Sequence, residues 1–123
     1  MEQQRLETAE RAAPRLPLSL PGTLLAVTGN QNCILVNLSR TGVLIALPEP
    51  LKVGAEGYLR CGPIDHFMVV TRQQTGMNAL SFDIPVDDHF VFGIRQYQEG
   101  QAEREQEEMI EAVMAWTSGK GLR

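Results

Sequence analysis

The chain predicts a mainly β fold, a small barrel or sandwich of short strands, followed by a C-terminal α-helix. Three observations predict it. Six short apolar runs follow one another between residues 23 and 84, each closed by glycine, proline or polar residues. The last run alternates, with Leu80, Phe82 and Ile84 toward one face and Ala79, Ser81 and Asp83 toward the other. From Glu99 onward the apolar spacing changes from the period of a strand to that of a helix.

Taken in order, residues 1–10 are polar, with partial helical character expected. Pro14, Pro17 and Pro21 then oppose a continuing helix, because each removes a backbone donor and restricts the residue before it. Strands are expected over Thr23–Val27, Asn32–Leu38, Gly42–Leu47 and Gly57–Cys61. Pro48-Glu-Pro50 ends the third and Gly62-Pro63 the fourth. A fifth runs from Asp65 to Gln73, with Phe67, Val69 and Thr71 on one face, and a sixth from Asn78 to Ile84. In the tail, Met109, Val113 and Trp116 recur at i, i+4 and i+7, beside Ile110 and Met114. Glutamates at 103, 105, 107, 108 and 111 make the other face acidic, and Gly119 offers a stop. The stripe is expected to cover the barrel. Its alternative role is docking of a partner or a second subunit. The expected division is a flexible arm over residues 1–9, a barrel domain over 10–98 and a packed helix over 99–118.

At 123 residues, with 43% hydrophobic and 21% charged side chains, the chain suits one domain with a packed core. No apolar run reaches the ~20 residues of a membrane helix, and the polar start Met-Glu-Gln-Gln-Arg-Leu-Glu is no secretory signal. A cytoplasmic location without membrane insertion is the expectation. Cys33 and Cys61 then read as two small buried hydrophobes rather than a disulfide. The net charge of -4 is unevenly placed: residues 1–98 sum to -1 and residues 99–123 to -3. A general DNA or RNA binder would carry a basic surplus, which is absent. A small phosphorylated ligand needs only a local basic cluster.

Arg11 and Arg15 supply such a cluster, as R-x-x-x-R. Twenty-two residues beyond Arg15 begins Asn37-Leu-Ser-Arg-Thr-Gly42, N-x-S-x-x-G, at the end of an apolar run. Arginine forks, an amide, a hydroxyl and a glycine suit a flat ligand rich in hydrogen-bonding edges and carrying phosphate. Arginine pairs bidentately with phosphate or with guanine O6 and N7, and its plane stacks on a base. On the residues alone, the arginines also read as solvated surface groups. The second tract also reads as a strand-to-turn corner, where Asn and Ser bond local backbone and Gly takes positive φ. A corner that exposes backbone groups and a hydroxyl also serves as a binding ledge.

In this order and spacing the two motifs resemble the PilZ domain family, bacterial receptors for cyclic di-GMP. Arg11-Ala-Ala-Pro-Arg15-Leu-Pro-Leu reads like that family's approach to its first strand, and the resemblance spans roughly residues 10 to 84. It implies a six-stranded antiparallel barrel. It implies that Arg11 and Arg15 take phosphate and guanine edges, that Asn37 and Ser39 contact guanine or the neighbouring ligand backbone, and that Gly42 keeps the approach clear. Arg40 is a further candidate for phosphate contact. Two positions depart from the family pattern. Glu10 stands where many members carry another arginine, which bears on whether one ligand or a stacked pair binds. Ala79 stands where a glycine often begins the last strand. Asn37, where the family also accepts Asp, offers one neutral acceptor to guanine in place of two charged oxygens, a weaker bond.

Catalytic patterns are missing from the sequence: there is no Cys-x-x-Cys, His-Glu-x-x-His or Gly-x-Ser-x-Gly. His66, His89, Asp65, Asp87, Asp88 and the two cysteines lack the spacing of a zinc site or a triad. No catalysis, metal or cofactor is expected. The expected function is a cyclic di-GMP receptor that clamps the arginine segment onto the barrel and signals to an unidentified downstream protein. The alternative is an adaptor of the same fold that binds no nucleotide. A barrel binding single-stranded RNA is a third reading, opposed by the lack of clustered aromatics.

Overall fold

The computed structural model describes residues 15–117, apart from the side chain of Ala102. The expected arm over 1–9, Arg11 and residue 118 lie outside the described residues. Six antiparallel strands close into a barrel: β1 (Leu16–Ala26), β2 (Gly29–Leu38), β3 (Gly42–Ala46), β4 (Glu56–Cys61), β5 (Ile64–Gln74) and β6 (Met77–Phe82). Around the barrel the order is β1-β2-β3-β6-β5-β4. Closure gives every strand a neighbour on both sides over at least part of its length. The interior is filled by alternate residues of every strand, with Leu20, Leu35, Ile45, Leu59, Met68 and Leu80 at its centre.

All six strands lie where apolar runs are found, but the first begins seven residues earlier than expected. Pro17 and Pro21 do not stop it. β4 pairs with β1 only over Thr23–Ala26, so both prolines lie where β2 alone borders the strand. The β1–β2 register also shifts between Pro17 and Leu20. A missing donor is tolerated at such an edge or bulge.

One facing assignment is corrected. The inward face of β5 is Ile64, Met68 and Val70; Phe67, on the opposite face, meets Tyr58 edge-on outside, at 5.7 Å. Ile84 does not point inward and is 76% exposed. β6 ends at Phe82, where the chain bends at Asp83 and Ile84.

The helix α1 spans Asp88–Thr117, eleven residues longer at its start than expected. Asp87 caps it: its Oδ1 accepts the Phe90 amide at 2.8 Å. Phe90, Val91, Ile94 and Tyr97 pack on the barrel core. Gln98 fastens the helix to β1, accepting from the Ser19 amide at 2.7 Å and donating to the Pro17 carbonyl. Tyr97 lies under the β4–β5 turn, where Gly62 has φ +56° and a Cβ would stand 2.5 Å from the ring. That turn therefore needs glycine for two reasons. The expected covering stripe is not the one that packs: Met109, Val113 and Trp116 are exposed. No helix among the described residues is long and apolar enough to cross a membrane.

Candidate functional site

The β1–β2 pairing decides where the two motifs meet. Leu16 faces Leu38 and Pro17 faces Asn37 across the ladder. Arg15, one residue before β1, is thereby brought beside the end of β2. Its Nη1 donates to Asn37 Oδ1 across a long 3.4 Å. Thus residues 22 apart in sequence share one corner. Arg15 and Asn37 are together there, while Arg11 lies outside the described residues.

The corner is built by Ser39. Its amide donates to the Gly42 carbonyl at 2.9 Å. Its hydroxyl accepts the Thr41 amide at 3.3 Å and stands 3.2 Å from the Thr41 hydroxyl. Serine is a natural closer of such turns. At 5% exposure, Ser39 is one of two buried polar side chains among the described residues. The turn is also fastened from outside. The Thr41 carbonyl accepts the Phe82 amide and the Arg40 carbonyl accepts the Val86 amide, at 2.9 and 2.8 Å. Arg40 Nε stands 3.6 Å from Asp88 Oδ1, both exposed, a pair worth little energetically but one that links the turn to the first residue of α1.

Gly42 corrects the expectation of positive φ. It is not among the positive-φ glycines. Its need is a close approach: a Cβ there would collide with the Leu80 carbonyl of β6. Gly42 therefore serves the β3–β6 ladder, where it faces Ser81, as well as any approach to the corner.

Two cavities flank Arg15. One, of about 180 Å³, is lined by Arg15, Ser39, Gly42, Thr71, Arg72 and Ser81, among others. The other, of about 400 Å³, is lined by Arg15, Leu16, Asp88, Val91, Phe92 and Arg95. Arg72 lines the smaller cavity, and nothing in the sequence pattern singles it out. A β5–β6 register shift between Val70 and Arg72 breaks the alternation, so Thr71 and Arg72 both reach the same cavity. No periodic count along β5 would place it there. The larger groove of about 750 Å³, beside Pro21, Cys33, Ile34 and Leu47, has no charged lining residue and is unsuited to a phosphate.

The described residues contain no group of three or more His, Cys, Asp or Glu side chains arranged to hold a metal. His66 packs edge-on against Phe82 and Phe90, at 5.3 and 5.1 Å. Cys33 and Cys61 are buried free thiols. Burial, and then the neighbouring Cys61, push the Cys33 thiol up to about 11. Both are poor nucleophiles in this state.

The family model described as the PilZ domain matches residues 9–90. No curated protein matches the chain.

Proposed function

The chain belongs to the PilZ domain family, a family of cyclic di-GMP receptor domains rather than enzymes, and we propose that this member binds that dinucleotide at the Arg15–Asn37 corner. The observation that carries the reading is the 3.4 Å contact between those two side chains. It sets one member of each motif side by side. A bond of that length is easily exchanged for a shorter, charge-assisted one to phosphate.

Cyclic di-GMP carries two guanines on a doubly phosphorylated ring. Arg15 stands between two cavities, an arrangement suited to a ligand with two base-phosphate units. Arg11, Arg15 and Arg72 would supply positive charge, and Arg40 is a further contact if it leaves Asp88. Asn37 would accept from a guanine edge. The Ser39 turn and Gly42 would form the floor. Clamping the arginine segment onto the barrel is then a population shift, limited by the ligand's differential affinity for the two arrangements. The altered surface, offered in the cytoplasm to another protein, would be the output.

Calorimetric titration with cyclic di-GMP, with GTP and cyclic GMP as controls, tests this. Binding is expected for the dinucleotide alone. Arg11→Ala and Arg15→Ala should each remove charge-assisted hydrogen bonds worth ~1.5–3 kcal/mol, a loss of roughly 10- to 100-fold in affinity. Arg72→Ala should weaken binding with the melting temperature unchanged. Absence of heat at millimolar dinucleotide would reject the receptor reading in favour of the nucleotide-independent adaptor.

A further inference from the structure

The distal half of α1 carries an apolar face that the barrel does not use. Met109, Ile110, Val113, Met114 and Trp116 are 50–69% exposed. They fall at i, i+1, i+4, i+5 and i+7, on one side of the helix. The barrel-packing residues Phe90, Val91, Ile94 and Tyr97 all lie at the proximal end of the helix, and among the described residues no hydrophobic side chain after Tyr97 packs on the core. The barrel therefore leaves this face uncovered. Five large apolar side chains, each at least half exposed, form a contiguous stripe rather than the singly scattered apolar residues ordinary on a monomer's surface.

We propose that this face pairs with the same face of a second copy of the chain, as an antiparallel helix pair. The 4,3 spacing of Met109, Val113 and Trp116 is that of a coiled-coil seam. A two-fold pairing is self-complementary, so one patch suffices for both sides. Charge selects the direction. Glu103, Glu105, Glu107, Glu108 and Glu111 precede or flank the apolar face, and Arg104 is the one basic residue among them. Arg104 is already directed onto the Tyr97 ring at 4.9 Å and toward Gln101 at 2.7 Å. A parallel pair would set the two acidic stretches side by side. An antiparallel pair centred near Val113 puts the two acidic stretches at opposite ends, away from each other. It also sets Met109 level with Trp116 of the other copy, a favourable sulfur–aromatic pairing. The two barrels then lie at opposite ends of the pair, so they do not collide.

The pairing does not depend on nucleotide binding, and its test is separate. Sedimentation equilibrium of the full chain should give a mass rising with concentration toward twice 13.6 kDa. Val113→Glu should hold the protein at the monomer mass with an unchanged circular dichroism spectrum, because residue 113 is exposed and not part of the core. For direction, Val113→Cys should form a disulfide-linked dimer on mild oxidation and Gln106→Cys, at the preceding position of the same seam, should not. The native thiols are buried and should not compete. A monomer mass for the wild type throughout the micromolar range would overturn the pairing. Linkage at both positions would overturn its antiparallel direction.

Discussion

Asn78 shows how one buried amide holds a long connection in place. It is fully buried, its Oδ1 accepts the Leu51 amide at 2.7 Å, and its Nδ2 donates to the Leu51 and Arg72 carbonyls. The chain between β3 and β4 is thus tied to the start of β6. Asn78→Leu keeps much of the volume but leaves Leu51 polar groups without partners, at about 1–3 kcal/mol. The melting temperature should fall by several degrees, at ~4–8 °C per kcal/mol for a domain of this size. An unchanged melt would show that the connection is not fastened there. Gly42→Ala makes a second test, since its methyl would strike the Leu80 carbonyl. Overpacking costs about 1–3 kcal/mol, so this variant should melt lower with no nucleotide present. A loss of ligand binding with an unchanged melt would assign Gly42 to the ligand alone. Cys33 gives a pH prediction. Its pKa rises from 9.0 to about 11 on folding, so between those values the unfolded thiol ionises while the folded one stays protonated. The stability from keeping the thiol protonated is complete below pH 9 and declines as pH rises toward about 11. Cys33→Ala should flatten that part of the stability–pH curve.

At the level of elements, the strands were legible wherever inward residues alternate without interruption. β6 shows this through Leu80 and Phe82, both buried. Legibility failed where local geometry departs from regular pairing. The start of β1 was hidden by prolines that an unpaired stretch accommodates, and Arg72 by a register shift. The proximal half of α1 was hidden for another reason. Its anchoring residues Phe90, Ile94 and Tyr97 are interrupted by Gly93 and polar Gln96, and glycine is a poor helix former. The stripe beyond residue 108 is the more regular one, yet regularity in a helix does not specify what covers it. Ile94→Ala should therefore cost about 2–5 kcal/mol, as deletion of a buried aliphatic does. Val113→Ala at low concentration should stay within ~0.5 kcal/mol, as exposed substitutions do. Equal losses in thermal denaturation would restore the expectation that the distal stripe packs on the barrel.

Across the whole molecule, the motif corner is connected mechanically to the helix. The Arg40 carbonyl holds the Val86 amide, and its guanidinium reaches Asp88, next to the Asp87 cap of α1. The sequence showed the two motifs but not this connection, because it depends on where the chain goes after Pro85. A phosphate drawn to Arg40 would compete with Asp88, so a ligand at the corner would have a short path to the helix start. The barrel ladders, already closed, have little freedom to respond. Amide exchange with and without cyclic di-GMP tests this division. Protection should rise within residues 5–15, at the 39–42 turn and near residues 86–91. It should stay constant through the core strands and through residues 105–117, which lie far from the corner along the helix. Equal exchange in residues 5–15 in both states would remove the clamp even if calorimetry shows binding. A change at residues 105–117 instead would mean that the nucleotide acts on the distal apolar face, and that Arg40 and Asp88 are not the route.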